Sequence, residues 1–129
     1  MRPQAGPAFE EFERASAARR KDVHSAALAG TLTEARAALE RSLAAVLGRI
    51  PYRTRRVGDL RPGRDGGHVH LAVVDDAAIA GWRRVRGQTL CGAAPGRPAA
   101  DRPVTCAACF RLLDRHVDAE PDPPELGLF

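Results

Sequence analysis

All three cysteines of this 129-residue chain fall between positions 91 and 109, and that clustering limits the fold more than any other feature. Cys106-Ala107-Ala108-Cys109 is a C-x-x-C pair. Its two-residue spacer lets the chain turn so that both sulfurs reach one tetrahedral ion about 2.3 Å away. A helix beginning at or just after Cys109 would aim free N–H groups and a positive dipole end at the thiolates. Cys91 is followed by Gly92, and glycine there permits the tight backbone reversal of a metal-binding knuckle. Three sulfurs leave a tetrahedral site one ligand short, and the candidates are His70, His68 and His116. His68 and His70 would point the same way from a strand. His70 is preferred because it sits inside the apolar run and is held more firmly, with His68 next. His116 would stand about 10 Å along a helix from Cys109, which strains a common site. His24 is read as an exposed residue of the first helix.

Other uses of cysteine compete with this one. A buried thiol often serves as a small hydrophobe, but three in one short window of a chain otherwise free of cysteine are hard to ascribe to core filling. A redox C-x-x-C pair would sit in a βαβ pattern that is missing here. An iron–sulfur cluster normally takes four cysteines. Three cysteines and one histidine are a common structural zinc set, so Zn2+ is the expected cofactor.

The composition gives such a site something to do. Apolar residues make up 44% of the chain, yet 24 of them are alanine and only six are aromatic. The core must be thin, in a chain whose size already limits the fraction of surface that folding can bury. No run is long and apolar enough to span a membrane. No secretory signal precedes the first acidic residues, and an odd cysteine count argues against a disulfide framework. A reducing cytoplasm is therefore the expected location.

The fold class expected is α+β, in four regions. Residues 1–50 read as a helical hairpin. Its first helix runs roughly Pro7–Ala29, with Phe9, Phe12, Val23 and Ala27 as a weak stripe, and ends at Gly30. The second starts with a capping box at Thr31-Leu32-Thr33-Glu34. It carries Leu32, Ala35, Leu39, Leu43, Val46 and Ile50 at steps of three and four, and stops at Gly48 and Pro51. Residues 51–67 form a basic connector with a short strand at Tyr52–Val57 and a flexible turn at Arg61–Gly67. Residues 68–117 form a small β-hairpin-plus-helix zinc module, treble-clef or zinc-ribbon-like. It comprises a strand His68–Val74, an ambiguous stretch Asp75–Gly81 that could be a short helical turn, a second strand Trp82–Leu90, a loop Ala93–Pro103 and a helix Phe110–Val117. Residues 118–129, with three prolines and four acids, read as a disordered acidic tail.

His70-Leu71, Thr89-Leu90-Cys91-Gly92 and Val104-Thr105-Cys106-x-x-Cys109 together resemble a pattern shared by small zinc-finger-like proteins of high-GC bacteria and their phages. The resemblance covers about residues 68–115 and implies that His70, Cys91, Cys106 and Cys109 bind zinc. It implies nothing about the N-terminal helices.

Neither an H-E-x-x-H motif nor the H-x-E…P-C-x-x-C deaminase signature occurs. There is also no nucleophile elbow, P-loop or dinucleotide fingerprint, so a non-enzymatic role is expected. Nineteen of the 20 basic residues are arginine. Arg53, Arg55 and Arg56 on the connector, with Arg83, Arg84 and Arg86 on the second strand, are candidates for neutralising nucleic-acid phosphates. Trp82 and Tyr52 could stack on bases, although Trp82 fits better as the main core residue of the module. The alternative partner is a protein. The Ala/Leu-rich hairpin offers an oligomerisation surface for a homodimer, with Leu39 and Leu43 at its centre, and Leu126–Phe129 could dock on a partner.

Overall fold

In a computed structural model, which describes residues 2–64 and 66–119, the chain is α+β. Two helices, α1 (Gly6–Lys21) and α2 (Ala26–Leu47), precede five short strands. These are β1 (Thr54–Asp59), β2 (Val69–Val73), β3 (Ala77–Ile79), β4 (Trp82–Arg84) and β5 (Pro95–Pro98). A third helix, α3 (Ala107–Ala119), follows. None of the described helices is long and apolar enough to cross a membrane.

The helical hairpin turns earlier than its sequence suggests. Ser25 caps α2, its hydroxyl accepting from Leu28 N–H at 3.1 Å, and Arg19 ties the turn by donating to Asp22 O and Ser25 O. Gly30 and Thr31 lie inside α2, where Thr31 donates its hydroxyl to Ala27 O at 3.0 Å instead of capping anything. A single glycine among strong helix formers costs only about 1 kcal/mol, so it does not stop a helix that a serine has started well. The apolar stripe is where its spacing puts it. Leu39, Leu43 and Val46 are buried, and Leu32, Ala35 and Ile50 pack at the margin. Leu39 and Leu43, 0% and 1% exposed, face the core of their own chain, so substituting them tests folding and not oligomerisation.

The N-terminus of α1 is closed from a distance. Asp114 of α3 accepts from Ala5 N–H and Gly6 N–H, both at 2.8 Å. One carboxylate thereby satisfies two of the orphan donors of a helix start and meets its dipole with negative charge. On the next turn Phe9 stacks on Phe110 of α3, with centroids 4.4 Å apart. These contacts join the first and last helices.

The strands form a three-stranded antiparallel sheet in the order β2-β1-β5 and a separate β3-β4 hairpin. Val57 lies opposite His70 and Arg56 opposite Leu71. Val69, Leu71 and Val73 enter the cluster that holds Phe12, Leu43 and Leu113, and His70 and Ala72, also buried, fall on the other face. The stretch 75–81 is β3 and a turn, not a helical turn, and the second strand ends at Arg84. Gly87 then reverses the chain with φ +88°, which returns Gln88–Leu90 to the side of β2. The expected loop 93–103 contains β5, which pairs with β1. Its two prolines remove N–H donors that a longer strand would use, so this segment reads as a loop. Asp118 and Ala119 complete α3; the rest of the expected acidic tail, including Leu126–Phe129, lies outside the described residues.

Candidate metal centre

The edge of β2 assembles the site. The carbonyl of Leu71 accepts from Leu90 N–H at 2.8 Å, which delivers Cys91. The carbonyl of Val69 accepts from Thr105 N–H and Cys106 N–H, at 3.0 and 3.2 Å, which delivers the C-x-x-C pair. His70 stands between those two carbonyls. Gly92 follows Cys91 with φ +86°, a conformation that side chains disfavour, and this reversal makes the knuckle.

His70, Cys91, Cys106 and Cys109 converge, with one ligand atom from each and all four within 4.8 Å of one another. His70 Nδ1 is 3.4 Å from Cys91 Sγ and 3.9 Å from Cys109 Sγ. A tetrahedral ion with bonds of about 2.3 Å to sulfur and 2.0–2.1 Å to nitrogen sets such atoms about 3.5–3.8 Å apart. The cluster has the dimensions needed to hold a metal ion.

Local electrostatics prepare the sulfurs. Cys106 immediately precedes α3, and its sulfur accepts from Cys109 N–H at 3.4 Å, the geometry of a helix N-cap. A hydrogen bond from the Cys109 thiol, that backbone N–H and the nearby His70 bring the Cys106 thiol down to about 4, against the opposing effect of burial. The Cys109 thiol goes the other way, raised by its bond to Cys106 and by burial. A metal ion would hold both as thiolates, the ligand form.

Asp59, which carries no local signal of a role in metal binding, also belongs to the centre. Its Oδ1 lies 2.5 Å from His70 Nε2, and its Oδ2 accepts from His68 N–H at 2.8 Å. That N–H and the bond to His70 hold the Asp59 carboxyl below its ordinary value. Burial disfavours the His70 cation, but the bond to Asp59 and the Cys106 thiolate outweigh it and raise the imidazole. His70 would hold a metal through Nδ1, leaving Nε2–H to donate to Asp59, which would fix both tautomer and ring plane. Removing such a partner typically costs 10–100-fold in metal affinity. Asp59→Ala is expected to lose about that much in competition with a chromophoric chelator, and Asp59→Asn, which keeps an acceptor, less. Arg84 is a second support. Its guanidinium donates to Thr89 O and Leu90 O, at 3.2 and 3.0 Å, and stacks over Trp82 at 5.6 Å, so it braces the segment leading to Cys91.

The other histidines lie elsewhere. His68 is exposed, with Nδ1 3.3 Å from Thr105 Oγ1. His116 is buried, its Nδ1 2.6 Å from the Tyr52 hydroxyl and its ring 4.3 Å from that of Trp82. Burial, helped by Arg115 and Arg84, lowers His116, and burial raises Tyr52, so the phenol donates to a neutral imidazole. Tyr52 is therefore buried against the half-buried Trp82. His24 is exposed.

The arginines singled out by sequence divide into two groups. Arg53 pairs with Asp75 at 2.6 Å, and Arg56 pairs with Glu40 at 2.5 Å while donating to Arg102 O. Arg84 is engaged as described. Arg55, Arg83 and Arg86 are exposed. In comparisons with known proteins, no family model, curated protein or solved structure matches the chain.

Proposed function

We propose that the chain is a non-catalytic, zinc-stabilised protein that binds nucleic acid through its basic surface. The convergence of His70 Nδ1 with three sulfurs carries this reading. Three thiolates and one imidazole are a structural zinc set, and four protein ligands close the tetrahedron that a catalytic zinc would leave open to water. The Cys91–Gly92 knuckle facing a helix N-terminus that bears the other two cysteines suits a treble-clef-like module. Charge supports the partner. The chain carries 20 basic against 16 acidic side chains, a net charge of +4. Arg55, Arg83 and Arg86 extend into solvent.

Retention on a DNA column is expected to fall steeply with salt. Replacing Arg55, Arg83 and Arg86 together by alanine is expected to flatten the plot of log affinity against log salt by roughly 0.9 for each phosphate no longer neutralised. A salt-independent interaction, or a slope unchanged in the triple variant, would contradict this assignment. A protein-interaction role is the alternative reading, favoured by Val23, 55% exposed at the tip of the helical hairpin. A concentration-dependent mass that Val23→Asp abolishes, without DNA retention, would establish that reading instead.

A further inference from the structure

We infer that the cleft between residues 58–62 with Gly66 and the β5–Arg102 segment is a binding site for a phosphoryl group, and that this group belongs to a nucleic-acid strand. The second half of this inference rests on the function proposed above. The cleft encloses about 690 Å³, within the range of small-ligand sites.

Its walls are built mainly from backbone and proline. Gly58, Pro62, Gly66, Pro95, Gly96 and Pro98 contribute to the lining. At Gly96 a Cβ would lie 2.1 Å from the carbonyl oxygen of Asp59, so only glycine lets β5 lie this close to β1. A site lined by so few long side chains admits a ligand close to the peptide groups.

The charges facing the cleft belong to Asp59, Arg97, Asp101 and Arg102. Both carboxylate oxygens of Asp59 are already engaged, by His70 Nε2 and His68 N–H. Two exposed guanidiniums remain against the one exposed carboxylate of Asp101. In sequence, Arg61, Arg64 and Asp65 neighbour the lining residues Pro62 and Gly66, a further excess of one positive charge. Guanidinium forks match the geometry of phosphate oxygens and bind them through paired charge-assisted hydrogen bonds. Asp59 also connects this wall to the metal centre, because the side chain that orients His70 extends from the backbone that lines the cleft.

The test uses the full-length, metal-loaded protein and two probes. One is a fluorescein-labelled 20-nucleotide single-stranded DNA read by anisotropy across a salt series; the other is pyrophosphate read by calorimetry. The variant is Arg97→Ala/Arg102→Ala, in which both changes are on exposed side chains, with the melting curve and metal content as folding controls. The wild type is expected to bind both probes. The double variant is expected to bind the oligonucleotide at least about tenfold more weakly, with a salt slope shallower by about 1.4 for two phosphates left without a guanidinium, and to lose pyrophosphate binding. If the oligonucleotide binds wild type and variant alike, the cleft assignment fails while nucleic-acid binding stands. If pyrophosphate binds in an Arg97- and Arg102-dependent manner but the oligonucleotide does not bind, the cleft is a site for a free phosphorylated ligand and the nucleic-acid reading fails. Failure of both probes on the wild type overturns both.

Discussion

Cys109→Ala is expected to strip the metal from the protein and unfold most of the chain under conditions where the wild type is stable. Cys109 is 0% exposed and stands on the first turn of α3, beside Phe110 and the sulfur of Cys106. Cavity formation alone makes a modest contribution, because a sulfur is all that the change removes. The large effect comes from the ion. Structural zinc sites bind with apparent free energies of about 10–16 kcal/mol, and where the site does not exist in the unfolded chain this is folding free energy. A core of mainly leucine, valine and phenylalanine side chains has little surplus to replace it in a domain whose net stability is on the order of 5–15 kcal/mol. Far-ultraviolet circular dichroism and metal analysis of the variant should agree with those of the wild type after chelation. A variant that keeps the wild-type melting curve while lacking metal would show that the ion is dispensable to the fold.

Phe110→Ala is expected to cost about 3–5 kcal/mol even with metal saturating, the usual range for removing a buried aromatic ring. Phe110 is the largest of the fully buried side chains. Its stack on Phe9 and the Asp114 cap on Ala5 and Gly6 are the principal ties between α1 and α3. The ring also seats the helix whose N-terminus presents Cys106 and Cys109, so metal affinity should fall in the same variant. Leu113→Ala, one turn further along, is expected to cost about 2–5 kcal/mol by the same mechanism, with a smaller effect on affinity because it lies further from the ligands. Urea midpoints at fixed metal concentration measure both. A destabilisation below about 1 kcal/mol for Phe110→Ala would mean that the two helices dock independently of this stack.

The candidate metal centre is largely legible in the sequence because the residues that could hold an ion announce themselves locally. C-x-x-C and C-G are spacings within a few residues, and His70 stands inside an apolar run suited to a strand. The stripe Leu39, Leu43 and Val46 is legible for the same reason, being a periodicity within one element. Features decided by tertiary contact are not. Helix α2 could start after either Ser25 or Thr31, since both precede good helix formers; packing and the bonds of Arg19 across the turn select Ser25. Strands β3 and β5 are three and four residues long, too short for an alternation to show. Asp59 comes within reach of His70 because β1 and β2 pair with Gly58 opposite Val69, and no local spacing encodes that register. A lone acid among arginines, two residues past Val57, is its only trace in the sequence. The same holds for Arg56 and Arg84, whose partners Glu40 and the 89–90 carbonyls lie on other elements.

Arg84 shows how one residue type can mislead at the level of sequence. Its spacing beside Arg83 and Arg86 suggests a phosphate ligand, yet its three carbonyl partners and its place over Trp82 make it part of the frame around Cys91. The arginines that do extend into solvent, and those around the β5 cleft, are the ones through which the basic charge can reach a partner.

X-ray absorption at the zinc edge on freshly purified, reduced protein, combined with metal quantitation, addresses the centre itself. One zinc per chain, with three sulfur neighbours at about 2.3 Å and one nitrogen at about 2.0–2.1 Å, is the expected result. A substoichiometric metal content, or a shell without sulfur, would contradict it.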